Sequence, residues 1–302
     1  MSPIFFCVSI NGKHFVTTEI EHPAVMQTFS YLERNGFEVT YVPVLESGQV
    51  SPAAVAAALR PDTILVSIMF ANNELGTIQP IEDIAKIVHS HGALFHTDAV
   101  QAFCNIPIDE SRMGIDLLSL SGHKIYGPKG IGALYVKNGV NLHPLLHGGM
   151  QEAGQRAGTE NVPAIVGLGC AAKWMHDDMH TRTAAISDLR DYFENRILNE
   201  ISDTKVNGAA SNRLPGPGLT FTRVRSRQLI NILSDFGIYA STGSACSCLA
   251  NMHSYVLRAI GLTDSEIEGT IRFSLGKENT ISDIDQVINV LKSAVSECRK
   301  AN

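Results

Sequence analysis

The sequence predicts an α/β fold: a large domain built on a mostly parallel sheet, followed by a smaller α+β domain at the C-terminal end. Three observations predict it. Between about residues 14 and 136, short β-branched runs take turns with amphipathic helical stretches. Polar residues gather directly after the predicted strands, and a long helical stretch from about Val162 leads into a second region of mixed strands and helices.

The elements follow in chain order. Residues 1–10 are apolar but lack a basic leader and a small-residue cleavage site, so they read as irregular chain entering a strand rather than a secretory signal. Residues 62–69 form a buried-strand run, residues 81–91 have helical spacing, and residues 93–96, 115–120 and 131–136 are further strands. Such alternation implies a sheet covered on both faces, and in these sheets ligands sit at the carboxyl ends of the strands. Three polar clusters occupy those ends: Asn72-Asn73-Glu74, Thr97-Asp98 and Ser121-Gly122-His123-Lys124. Residues 162–179 and 183–200 are helical. Residues 218–222, 229–236 and 238–241, a loop around Cys246, a helix near 254–260, a strand at 270–274 and a last helix at 281–296 make the smaller domain. The boundary falls near 175–182, giving domains 1–178 and 179–302, with no internal repeat or low-complexity tract.

Composition narrows the function classes. The chain has 302 residues, 44% of them hydrophobic and 18% charged, enough for an ordinary globular core. Lys and Arg number 24 against 30 Asp and Glu, a net charge of −6 without a long basic run, which argues against nucleic acid and anionic membranes as partners. No tract is long and apolar enough to span a bilayer. The partners expected are small molecules or proteins. Six cysteines, Cys7, Cys104, Cys170, Cys246, Cys248 and Cys298, are too few and too irregular for a disulfide framework, and the expected compartment is reducing and cytoplasmic.

The most informative stretch is Ser121-Gly-His-Lys-Ile-Tyr-Gly-Pro-Lys-Gly-Ile-Gly132, a strand end running through a glycine-rich turn into another strand. It lacks the Gly-Lys-Ser/Thr ending of a P-loop. A lysine placed there among a hydroxyl, an imidazole and glycines can form a Schiff base, because partial burial frees the amine; taken alone it suits a solvated surface position far better, and it is the neighbouring residues that shift the reading. Asp98, directly after a strand, suits a carboxylate that holds the protonated ring nitrogen of pyridoxal phosphate; taken alone it better suits a helix N-cap. Gln101, three residues on, shares its face if a helix begins there, within reach of the cofactor's phenolic oxygen.

With these residues the chain resembles the cysteine desulfurases, pyridoxal-phosphate enzymes related to class-V aminotransferases. The matching motifs run from Thr18-Glu-Ile-Glu-His22 through Asn72-Asn-Glu-Leu-Gly76, His96-Thr-Asp-Ala-Val-Gln101, the lysine loop, Arg156-Ala-Gly-Thr-Glu160 and Ser241-Thr-Gly-Ser-Ala-Cys246 to Ile271-Arg-Phe-Ser-Leu-Gly276. The resemblance implies a fold-type-I large domain and a site residue by residue. Lys124 forms the Schiff base with the cofactor, Asp98 pairs with the pyridine nitrogen, and Gln101 and Asn73 surround the phenolic oxygen and the substrate carboxylate. His22 stacks on the ring, Ser121 and His123 bind the phosphate, and Thr159 reaches the phosphate of a neighbouring subunit, so that a homodimer completes the site. Arg272 grips the substrate α-carboxylate, a task suited to a planar bidentate guanidinium.

Residues 241–250, Ser-Thr-Gly-Ser-Ala-Cys-Ser-Cys-Leu-Ala, are small and weakly anchored, so a mobile loop is expected. A cysteine that carries sulfur from the cofactor to an acceptor needs that mobility. The family pattern puts the nucleophile on Cys246, and Cys248 departs from it. The competing readings are that both are inert small hydrophobes or half of a Cys-x-Cys metal site, for which no partner pair is evident. His176 and His180, spaced i,i+4 without a zincin glutamate, read as an exposed helical pair. The reaction implied converts L-cysteine to L-alanine: Lys124 moves the Cα proton, the Cys246 thiolate takes the sulfur with His22 in proton transfer, and the persulfide passes to an acceptor protein such as an iron–sulfur scaffold.

The sequence starts beyond the family's Gly-Ala-Thr-Glu type loop, a helix-start anchor for the cofactor phosphate; two expectations follow, a truncated reading of a full enzyme, or a shortened protein with weakened cofactor binding and an open sheet edge. Two other functions remain alongside: a selenocysteine lyase, and a non-catalytic homologue that dimerises with a full-length enzyme.

Overall fold

A computed structural model describes residues 12–216, 218–242 and 253–300. The chain divides into two compact units. Residues 12–43, Val50–Ala71 and Gln79–Met179 make the first; Val44–Gln49, Asn72–Ile78 and the described residues from His180 onward make the second.

In the first unit, β1 (His14–Thr18), β2 (Glu38–Val42), β3 (Thr63–Ser67), β4 (Leu94–Asp98), β5 (Leu117–Ser121) and β6 (Gly132–Val136) form one sheet in the order β2-β1-β3-β4-β5-β6. Every pairing from β2 to β5 is parallel; β6 returns antiparallel to β5. A connection this short cannot make the crossover a parallel strand needs. β1 and β3 are buried at all five positions, as strands covered on both faces must be. The helices are α1 (Pro23–Arg34), α2 (Pro52–Ala58), α3 (Ile81–Ser90) and α4 (Val162–Asp177). α1 opens with His22 as its cap and Pro23 at its first turn, and buries Val25, Phe29 and Leu32 with Phe15, Ile64, Leu65 and Leu117. α3 buries Ile81, Ile84, Ala85 and Val88, the spacing of one helical face.

α5 (Met179–Glu200) leads into the second unit, where β7 (Thr204–Asn207), β8 (Gly218–Phe221) and β9 (Thr270–Arg272) form an antiparallel sheet in that order. α6 (Ser226–Asp235), α7 (Tyr255–Ala259), α8 (Asp264–Glu268) and α9 (Ile281–Lys300) complete it. Its core joins Phe193 and Ile197 of α5, Leu219 and Phe221 of β8, Leu229 and Leu233 of α6, and Ile284, Ile288 and Leu291 of α9. The strand and helix runs singled out in the sequence all lie on these elements or overlap them, except residues 238–241, which form no strand: there Ser241 alone bridges to Arg272.

Candidate active site

In the first unit the polar residues stand at the carboxyl ends of β1, β4 and β5. Glu21, just past β1, is fully buried; its Oε1 accepts from the Thr18 hydroxyl at 2.7 Å and from the Met69 amide at 2.9 Å. Burial, aided by the charge of Asp98, pushes its carboxyl up to about 8. His22 caps α1, its Nδ1 accepting from the Ala24 amide at 3.1 Å, so the neutral ring carries its proton on Nε2. Burial first, then the charge of Lys124, lower its pKa and keep it neutral.

Asp98 ends β4 and is buried, its Oδ1 accepting from the Val100 amide at 3.0 Å. Burial raises its carboxyl to about 6. Residues 100–105 form hydrogen-bonded turns rather than a helix, so Asp98 caps a turn, and the shared helical face expected for half-buried Gln101 does not form. β5 ends at Ser121, whose hydroxyl meets His123 Nδ1 at 2.8 Å. Lys124 closes a single 3-10 turn, Gly122–Lys124. It is exposed, not partly buried as expected from its motif, because that turn lifts it off the end of the buried strand. Gly127 sits where a Cβ would lie 2.9 Å from the Gly122 carbonyl, a close approach that only glycine permits. Thr159 is exposed in the loop before α4, which Asn161 caps.

In the second unit, Asn72 Oδ1 accepts from the amides of Glu74 and Leu75 at 2.8 and 2.9 Å, a side-chain turn that presents Asn73 and Glu74. The Asn73 carbonyl accepts from Arg272 Nη1 at 3.0 Å. Arg272 exchanges two backbone hydrogen bonds with Ser241, and its buried Nε has no partner among the described residues. Glu74 is buried; burial raises its carboxyl, while the Ser254 hydroxyl, donating to Oε2 at 2.6 Å, and the charge of Arg272 act against the rise. Cys246, Cys248 and Cys7 lie outside the described residues. Cys104 and Cys298 are buried thiols and Cys170 an exposed one, and no metal-holding cluster occurs among the described residues. His176 stands on α4 and His180 on α5, so their spacing does not belong to one helix.

Sequence reasoning quoted Glu21 and Glu74 within motifs but assigned them no task. A carboxylate directly beside an assigned site residue and next to a buried apolar strand was the available signal.

The chain matches the class-V aminotransferase family over residues 8–287. It is 48% identical to a cysteine desulfurase IscS of Methanosarcina thermophila, over 98% of this chain and 73% of that protein. A solved NifS-like protein superposes with a TM-score of 0.88 at 37% identity, covering 96% of this chain and 76% of that one. A solved structure described as SspA in complex with cysteine gives 0.77 at 42% identity, over 90% of this chain and 76% of that one. No helix among the described residues is long and apolar enough to cross a membrane.

Proposed function

We propose, for a chain that belongs to the class-V aminotransferase family and stands there among the pyridoxal-phosphate-dependent cysteine desulfurases, how its own residues divide the removal of sulfur from L-cysteine. The observation that carries the assignment is the placement of His22, Asp98 and Lys124 at the carboxyl ends of the parallel strands β1, β4 and β5, with the charge of Lys124 acting on His22.

These residues fit pyridoxal phosphate. Asp98 is a carboxyl raised by burial, and a protonated ring nitrogen beside it would favour its charged form. His22 offers a neutral, half-buried ring to stack, and the Ser121–His123 pair offers a hydroxyl and an imidazole to the phosphate. Gln101 is assigned to the phenolic oxygen and Thr159 to the phosphate of a partner copy in a homodimer. When bound, the cofactor is the electron sink for charge that develops on the substrate's carbons.

Arg272 holds the substrate carboxylate: its guanidinium keeps a buried Nε donor in reserve beside the Nη1 bond that Asn73 orients. Lys124 Nζ takes the proton from the substrate Cα and returns one to carbon. The Cys246 thiolate attacks the substrate sulfur, the Cβ–S bond breaks toward carbon, and that carbon takes a proton to leave alanine and a Cys246 persulfide. His22 Nε2 donates in this proton traffic. The persulfide passes to an acceptor protein, an iron–sulfur scaffold among them, in a reducing cytoplasm.

The test is the visible absorbance of the full chain with added pyridoxal phosphate, beside Lys124→Ala, followed by alanine release from cysteine. A band in the parent that Lys124→Ala abolishes, with alanine release that Cys246→Ser abolishes, is the expected result. Alanine from selenocysteine alone assigns the lyase instead, and no band in either protein refutes the assignment of these residues.

A further inference from the structure

The described residues contain a buried acid that no step above uses. Glu21 lies between two elements that matter: His22 follows it directly, and its Oε1 accepts the Met69 amide at 2.9 Å while also accepting from Thr18 at 2.7 Å. The next amide along, that of Phe70, donates to the Asp98 carbonyl at 2.9 Å. Two consecutive peptide groups past β3 therefore tie the turn that carries His22 on one side and the end of the strand that carries Asp98 on the other. In the sheet order β1-β3-β4 that dipeptide stands between the two.

We propose that Glu21 is a positioning residue of the cofactor site: through the Met69–Phe70 backbone it fixes His22 relative to Asp98. The inference rests on the cofactor assignment above and deepens it. In a site without exposure burial favours the uncharged acid, and Oε1, which takes both hydrogen bonds, serves as well for a carbonyl oxygen as for a carboxylate oxygen. The raised carboxyl agrees, and Asp98 nearby disfavours a second charge. Uncharged Glu21 leaves Asp98 as the carboxylate that meets the ring nitrogen. An amide of the same length can serve in its place, because its carbonyl accepts the same two hydrogen bonds. An aspartate cannot, since it is one methylene shorter and cannot meet both Thr18 and Met69 from the same backbone.

Absorbance titration of the full chain with pyridoxal phosphate separates these cases, reading dissociation constant and band position. Glu21→Gln is expected to bind within about twofold of the parent with an unshifted band. Glu21→Asp is expected to weaken binding at least tenfold and to move the band, as His22 and Asp98 lose their common frame. Thr18→Val removes one of the two donors at smaller cost to the fold, and is expected to weaken binding about threefold or more while leaving the circular dichroism unchanged. Glu21→Asp or Thr18→Val binding like the parent overturns the proposal, as does Glu21→Gln weakening binding as much as Glu21→Asp. Absence of a band from the parent itself overturns the cofactor assignment and this proposal together, so the two failures are told apart by the parent alone.

Discussion

Asp98 shows at the scale of one residue how a site is held against stability. In the folded chain its carboxyl titrates near 6 because burial disfavours the charge, against an ordinary value of 3.8. A folded value above the unfolded one means that the fold tolerates the protonated acid below about pH 4 and bears a growing cost as pH rises through 4 to 6. Two units correspond to about 3 kcal/mol at most. Asp98→Asn removes that cost and keeps the Oδ1 acceptor for the Val100 amide. Without cofactor, the variant is expected to be more stable than the parent at pH 8, with the difference vanishing below pH 4 in urea unfolding. With cofactor the order reverses, because the ring nitrogen loses its anion and affinity falls at least tenfold. A variant less stable than the parent at pH 8 would contradict the argument. The residue was legible in sequence from its place after a strand; the turn that follows it was not, since helix and turn share the same first hydrogen bonds.

The parallel sheet carries a second titrating device at the scale of its elements. His96 of β4 is fully buried and bridges β3 and β5, its Nδ1 meeting the Ser67 hydroxyl at 2.8 Å and its Nε2 the Ser119 hydroxyl at 2.9 Å. Burial lowers its pKa to about 3. A depressed histidine contributes stability that is whole above its ordinary value of 6.5 and is lost as pH falls from 6.5 toward 3, because only the unfolded chain accepts the proton. The loss is up to about 5 kcal/mol. His96→Gln keeps a neutral hydrogen-bonding group and removes the titration, so its melting temperature is expected to fall less than the parent's between pH 6.5 and pH 4; parallel curves would sink the idea. The strand itself was readable from its apolar run, and the motif from the letters around Asp98. The bridge was not: it needs β4 to lie between β3 and β5, and strand order is a long-range property that no local periodicity encodes. Helices α2 and α8, seven and five residues long, gave little periodic signal and were not legible, whereas α7, also five residues, was.

For the whole molecule the same distinction decides what can be separated from what. A single boundary drawn along the sequence places Asn72–Ile78 with the large sheet, yet this segment belongs to the second unit together with Val44–Gln49. Within that unit Leu75 and Thr77 are fully buried, the Thr77 hydroxyl donates to the Ser47 carbonyl at 2.6 Å, and the Leu214 amide donates to the Gly76 carbonyl at 2.9 Å. Gly208, at φ +91°, leaves a gap that a Cβ would fill to within 3.0 Å of the Leu75 Cβ, so the packing is close as well as hydrogen-bonded. Glu74 and Asn73 add the Ser254 and Arg272 contacts. A fragment of residues 180–302 made alone keeps the core of α5, β8, α6 and α9 but loses all of these partners, leaving Arg272 without the carbonyl that orients it. Losing several buried side chains and their hydrogen bonds costs more than a marginal fold of this size retains. The fragment is therefore expected to show poor amide dispersion and no cooperative melt, whereas the intact chain melts cooperatively. A cooperative transition in the fragment at the temperature of the intact chain would show instead that the two segments contribute nothing to the unit they pack in.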